Sequence, residues 1–278
     1  MAGDEERQCA GEDHGKRPRE ERKRKRLHEH RDAGLGRAQG SFNASELPKR
    51  FYTAAGVARV DGGFTVTLDG RPTRTPGRVP AVVESEPLAA LMAAEWAAQS
   101  ERIDPDSMPV VRLVNSAIES GKAQLPVFRD EVLKYAANDL LLYRADAPAE
   151  LVAAEEQAWD AALVKLARHF GIGFQPTIGI IHQPQPAPTL ARLATALTDE
   201  PLLPLTALVS ITSLTGSGLL AIGLRQGLFA PDEVWTAAHV DEDHNIRLWG
   251  AVDDAIARRE KRRTEFDAAV TVLELTAG

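Results

Sequence analysis

The sequence predicts an α+β protein, a small N-terminal antiparallel β-rich domain with a helix, followed by a mainly α-helical domain. Three observations lead there. Strand-like alternation is confined to the stretch between Val57 and Val83, where Phe64, Val66 and Leu68 face one way and Thr65 and Thr67 the other. Two glycine turns, Asp61-Gly62-Gly63 and Asp69-Gly70, punctuate that stretch. Beyond Gly121–Pro126 the apolar residues recur at helical spacing. The 278 residues divide accordingly into a charged tail (1–46), an α+β domain (47–122) and a helical domain (123–278).

The tail comes first. Residues 1–46 contain almost no large apolar side chains, and Arg17–Arg26 is basic with only Glu20 and Glu21 opposing it. Such a segment cannot bury enough apolar surface to offset its ordering entropy, so disorder is expected. Residues 1–50 carry a net charge of +3 and the remainder −10. An acidic body does not attract phosphate, and no aromatic residue interleaves the basic run to stack on bases. Nucleic acid is therefore not an expected partner. Cys9, in the tail, is the single cysteine, which excludes a disulfide framework, a thiolate zinc site and an iron–sulfur cluster from the body. The N-terminus shows neither the apolar run of a secretory signal nor the acid-poor composition of a mitochondrial presequence, and a cytoplasmic location is expected.

The β-rich part reads as a meander, with a hairpin at Val57–Leu68 and a short strand at Val79–Val83 after the proline-rich return Arg71–Gly77. Ser85 caps a helix starting at Glu86-Pro87, whose stripe Leu88, Leu91, Met92 and Trp96 packs on the sheet. Asp104-Pro105 and Met108-Pro109 interrupt the chain, and Val111–Ile118 fits either helix or strand. Phe128, Val132, Tyr135, Ala136 and Leu142 or Tyr143 then share a helical face on which Asp139 also falls. A carboxylate there must be paired or hydrogen-bonded, and a structural acceptor is the preferred reading over a general base. Trp159, Leu163, Leu166 and Phe170 form the next stripe, stopped at Gly171, and Phe174–Pro188 is a long connection. Leu190, Leu193, Ala194 and Leu197 mark another helix.

Pro201–Leu224 has no charge, yet its centre, Thr212–Gly218, is polar or small. Two buried helices broken near Gly216 are predicted, and no membrane insertion. Pro231 opens a helix with Trp235, Ala238, Glu242, Ile246 and Trp249 on one stripe, and a last helix carries Phe266, Ala269, Val270 and Leu273.

The search for chemistry is negative. There is no dinucleotide fingerprint, P-loop or serine elbow. His239–His244 contains an i,i+4 His–Asp pair but lacks the His-Glu-x-x-His arrangement and its third ligand. Neither metal nor cofactor is expected. Two rivals to a client-binding protein remain: a small-molecule enzyme using carboxylates assembled in space, such as Asp139, Asp241 and Glu242, and a nucleic-acid protein acting through the basic tail.

Seven short motifs in order carry a resemblance. They are Lys49-Arg50-Phe51-Tyr52; Leu68–Pro72 with Arg74-Thr75-Pro76; Glu95-Trp96 with Gln99; Ile103–Pro105 with Met108-Pro109; Asp139–Leu141 with Tyr143-Arg144; Leu214–Ser217; and Asp241-Glu242 with Trp249-Gly250. From about Lys49 to Leu275 the chain resembles the F-type ATP synthase assembly chaperones that bind the free α subunit of the soluble catalytic head. The resemblance implies a protein that is not an enzyme, that keeps α subunit soluble until β subunit displaces it, and that has counterparts in the mitochondrial matrix. It implies a critical acidic residue at the position matching Asp241-Glu242. The chain departs from the family at His244 and Asn245, where an aromatic and a glutamine are common. The partner-binding residues expected on this basis are Asp241, Glu242, Trp249 and Arg71, in a protein expected to be monomeric.

Overall fold

β1 (Ala55–Val60) and β2 (Gly63–Leu68) pair antiparallel with Val57 opposite Val66, as the alternation predicts. The computed structural model describes residues 47–276, so the expected disorder of 1–46 lies outside the described residues. Gly63 is at φ 141°, and a Cβ there would sit 2.2 Å from the Val83 carbonyl oxygen, so no other residue fits. β3 (Arg71–Pro72) and β4 (Val82–Val83) both pair with β2, at its two ends. The predicted strand Val79–Val83 is thus shortened to Val82–Val83, and the expected irregular return opens with a strand of its own at Arg71–Pro72. Pro76 and Pro80 lie in the intervening loop and have no N–H to give to a ladder. Thr65 also departs from the simple two-faced reading: it is buried, and its hydroxyl donates to Ala81 O at 2.7 Å.

α1 (Glu86–Ala97) starts as predicted, with the Ser85 hydroxyl accepting from Leu88 N. Leu88 and Met92 are buried; Trp96 is partly buried, edge-on to Tyr52 at 5.6 Å, and its carbonyl accepts from the Tyr52 hydroxyl. The ambiguous segment is helical, within α2 (Pro109–Ser120), whose first N–H groups at Val110 and Val111 donate to Glu95 at 2.9 and 2.8 Å. That carboxylate takes the place of a local cap and ties α1 to α2.

α3 (Leu125–Ala137) ends before Asp139, so Leu142 and Tyr143 leave its face and enter a short 3₁₀ turn and β5 (Tyr143–Arg144). α4 (Ala149–Glu155) runs through a π-helical turn at 156–160 into α5 (Ala161–Phe170), stopped by Gly171 at φ 65°. The long connection contains one element not predicted, β6 (Thr177–Ile178), parallel to β5. After α6 (Ala187–Ala196) come α7 (Leu202–Thr215) and α8 (Gly218–Arg225), broken at Gly216 as expected. α7 packs against α3, α8 and α2. Among the described residues no helix is long and apolar enough to cross a membrane.

The predicted Trp235–Trp249 stripe is corrected. The chain forms α9 (Pro231–Ala238) and α10 (Val240–Trp249), with a break at His239. The His239 N–H bonds to Thr236 O in place of the α-helical partner, and its Nδ1 contacts Trp235 O at 2.7 Å. The mixed-charge stretch and the last helix are one element, α11 (Asp253–Leu275), which packs on α7, α2 and α1. Lys261 and Glu265 of α11 pair with Asp106 and Arg112 at 2.8 and 2.9 Å. A single cluster of buried side chains runs from Tyr52 and Val66 to Leu273.

Candidate functional site

α10 concentrates acidic residues in its first turn, where the positive end of the helix dipole favours them. The two members of the predicted acidic pair meet different surroundings. Glu242 is clamped by α11: Arg262 at 2.7 Å and Arg259 at 3.8 Å. Asp243 takes Arg259 as well, at 2.6 Å. His239 Nε2 stands 3.9 Å from Glu242, but burial holds the imidazole pKa down, so this contact is not an ion pair at neutral pH.

Asp241 is exposed and makes no ion pair among the described residues. Its neighbour is Glu155, at the end of α4, a carboxyl only 3% exposed. Burial, reinforced by the negative Asp241, raises the Glu155 pKa to about 7. Glu155 accepts from Ala145 N at 2.7 Å, and its carbonyl accepts from Arg144, which also pairs with Asp160 at 2.5 Å.

The tryptophans divide too. Trp235 is buried against Phe266 and His239, with ring centroids 5.3 and 4.0 Å away. Trp249 is 83% exposed, next to exposed Leu248 and close in sequence to exposed Val252 and Ile256. Arg71 stands exposed on β3, with no hydrogen bond or ion pair to α10.

Asp139 is the structural acceptor expected of it. Fully buried, it accepts from Leu141 N at 3.2 Å, the Ser217 hydroxyl at 2.9 Å and Leu219 N at 2.9 Å. Burial lifts its pKa to about 7 against the pull of those donors. Its partners, the cations on Glu242 and the Glu155 beside Asp241 are three separate environments, so the carboxylate trio of the enzyme reading is not assembled. Among the described residues no group of three or more histidines, cysteines or acids could hold a metal ion.

Many motif residues are framework. Arg50 donates to the carbonyls of Tyr52, Thr53 and Gln99. Asp69 accepts from Thr53 N, the Thr53 hydroxyl and Ala54 N, fixing the start of β1. The Gln99 side chain spans Glu95 O, the Ser107 hydroxyl and Asp104 N. Sequence reasoning missed Glu155 and the two arginines on Glu242. Glu155 was detectable by the argument applied to Asp139, because it falls between Leu151 and Trp159 at helical spacing.

The ATP12 chaperone protein family model matches residues 49–167. The crystal structure of ATP12 from Paracoccus denitrificans is 33% identical and superposes with a TM-score of 0.76 over 82% of this chain and 98% of that one. A candidate chaperone from Agrobacterium tumefaciens is 42% identical, with a TM-score of 0.78 over 82% of this chain and 86% of its own. An Asp-to-Lys variant of the Paracoccus protein matches at 33% identity and a TM-score of 0.75.

Proposed function

The chain belongs to the ATP12 chaperone family, a family of ATP synthase assembly chaperones, and on that premise we propose that it binds the unassembled α subunit of the F-type catalytic head and keeps it soluble until β subunit displaces it. It acts by covering a surface and not by catalysis, as a monomer in the cytoplasm. An α subunit without its neighbour exposes an interface patch of the kind that drives aggregation. The protein that covers it must bind weakly enough to be displaced.

The observation that supports α10 as the working surface is the contrast between Asp241 and Glu242. Glu242 is occupied in holding α10 to α11, whereas Asp241 is exposed beside the buried Glu155, has no cation among the described residues, and shares its helix with the 83%-exposed Trp249. An exposed aromatic and an unneutralised carboxylate on one short helix supply an anchor and a steering charge. We assign the family's critical acidic role to Asp241, with Trp249 at the other end of α10, about 12 Å along its axis, as the anchor; Arg71, on the sheet edge, is a second contact point.

The test is suppression of light scattering by purified α subunit as it aggregates. The wild-type chain should suppress it and release the subunit on addition of β. Asp241→Lys, folded by circular dichroism, should protect poorly. Equal protection by wild type and Asp241→Lys removes Asp241 from the surface; no protection by wild type removes the α-subunit reading.

A further inference from the structure

Glu155 and Asp241 meet where α4 packs on α10, as two acids in hydrogen-bonding contact. Ionised carboxylates only accept, so such a contact holds only when one of the two carries a proton to donate. The buried member is the one that keeps it. Glu155 is 3% exposed, and a charge there would have lost its water. Its Oε2 accepts from Ala145 N at 2.7 Å, a single neutral donor, and its carboxyl makes no ion pair among the described residues.

The charges around Glu155 do not relieve it. Arg144, on β5, is the cation that acts on it, but that guanidinium lies over the Trp159 ring and is engaged by the Glu155 carbonyl, at 3.1 Å, and by Asp160. Glu156 and Asp160, in the π-helical turn, are acids. On α10, Glu242 and Asp243 are already neutralised by Arg259 and Arg262. After burial itself, Asp241 is the neighbour that most favours the protonated form of Glu155.

We propose that this pair couples client capture to a proton: the free chain shares one proton between Glu155 and Asp241, and an arginine or lysine of the client, docking on exposed Asp241, drives that proton into solvent. The proposal rests on the α-subunit reading and adds the chemistry of the client residue and a control on its capture. Charge balances in the step, since one cation arrives as one proton leaves and two carboxylates then face the client. A positive charge beside a carboxyl favours its ionised form, and by linkage a partner that expels a proton binds more tightly as pH rises. Acidification returns the proton and loosens the client. An apolar or acidic contact at Asp241 would leave the proton where it is.

The experiment is calorimetric titration of the full chain with purified α subunit, in buffers of different ionisation heat, from about pH 5.5 to about 8. If the client lowers the Glu155 pKa of about 7 by one unit, wild type should release about half a proton per complex near pH 6.5 and bind about five- to tenfold more tightly at the top of the range than at the bottom. Glu155→Gln keeps an acceptor for Ala145 N and offers Asp241 a donor that cannot leave. It should release no proton at this pair and hold the low-pH affinity throughout. A wild-type complex with no proton released and an affinity flat in pH overturns the proposal while leaving the α-subunit reading intact. Equal release by wild type and Glu155→Gln places the proton elsewhere and overturns it too. Absence of any wild-type complex overturns both. Where Glu155→Gln fails to fold, the infrared band of protonated carboxyls in wild type decides: it should weaken when α subunit is added near pH 6.5, and an unchanged band overturns the proposal.

Discussion

The α7–α8 hairpin and α10 are both short helical segments, yet they solve opposite problems. α7 is buried on nearly every side, and the N–H groups opening α8 are satisfied by Asp139 and the Ser217 hydroxyl. α10 has only Val240 and His244 buried, and its charges either lock onto α11 or face out. In the first region the hydroxyls of Thr206, Thr215 and Ser217 all serve the fold. In the second, a tryptophan is left exposed and a carboxylate, Asp241, lies beside Glu155 with no cation among the described residues. The difference teaches where to look for function: in groups whose exposure the packing does not explain.

The comparison can be broken most forcefully at Gly218. A Cβ there would lie 2.3 Å from Val132 O and 2.6 Å from Ala136 N, backbone atoms of α3 that no side-chain rotation can move aside. Gly218→Ala should cost about 3 kcal/mol or more and give little soluble protein, measured by urea denaturation of whatever folds. Asp139→Ala comes next, because it strands the Ser217 hydroxyl and two backbone N–H groups in the core. A loss of about 3 kcal/mol is expected, and a loss under about 1 kcal/mol would show that water has replaced the carboxylate.

A third measurement uses pH. Glu155 has a folded-state pKa of about 7 against an ordinary value of 4.5, so between those values the folded chain holds a proton that the unfolded chain has released. Stability should therefore fall as pH rises from about 4.5 to about 7. Asp139 acts in the same direction, from an ordinary value of 3.8 to about 7. Buried His239, whose pKa is lowered, acts the other way: its contribution is lost as pH falls below 6.5. The Glu155 part is isolated by comparing wild type with Glu155→Gln, which should have a flatter profile between pH 5 and 7; identical slopes would show that Glu155 is ionised throughout.

Smaller effects separate the acids of α10. Glu242→Lys places a third cation against Arg259 and Arg262 and should cost about 1–2 kcal/mol in thermal or chemical unfolding. Trp249→Ala should change stability by no more than about 0.5 kcal/mol while weakening α-subunit protection. A large stability loss at Trp249 would erase the distinction between the two regions.

The buried hairpin was legible because its information is local. An uncharged run, a polar centre and Gly216 were enough to place the break, and Asp139 on an apolar face announced its own need for donors. The break in front of α10 was not legible, because His239 is neither glycine nor proline. What ends α9 there is a histidine ring turned back onto the Trp235 carbonyl, a contact without a composition signal. Nor could the roles of Asp241 and Glu242 be told apart. The residues that separate them, Arg259 and Arg262, lie about five turns further along the chain. β6 escaped notice for a similar reason, since two residues are too few to show alternation and their partner strand is more than thirty residues earlier.

Among the described elements α11 leaves the ribosome last, and this sets the order in which the molecule can be finished. Until Phe266–Leu273 emerge, the faces of α7 and α2 that they cover have no partner within the chain. The clips from Lys261 to Asp106 and from Glu265 to Arg112 likewise wait on the final helix, although their other halves were synthesised some 150 residues before. A chain released early would carry its own uncovered apolar surface, with all the hazards of a half-made product. A member of a family of assembly chaperones thus passes through an unshielded interval during its own synthesis.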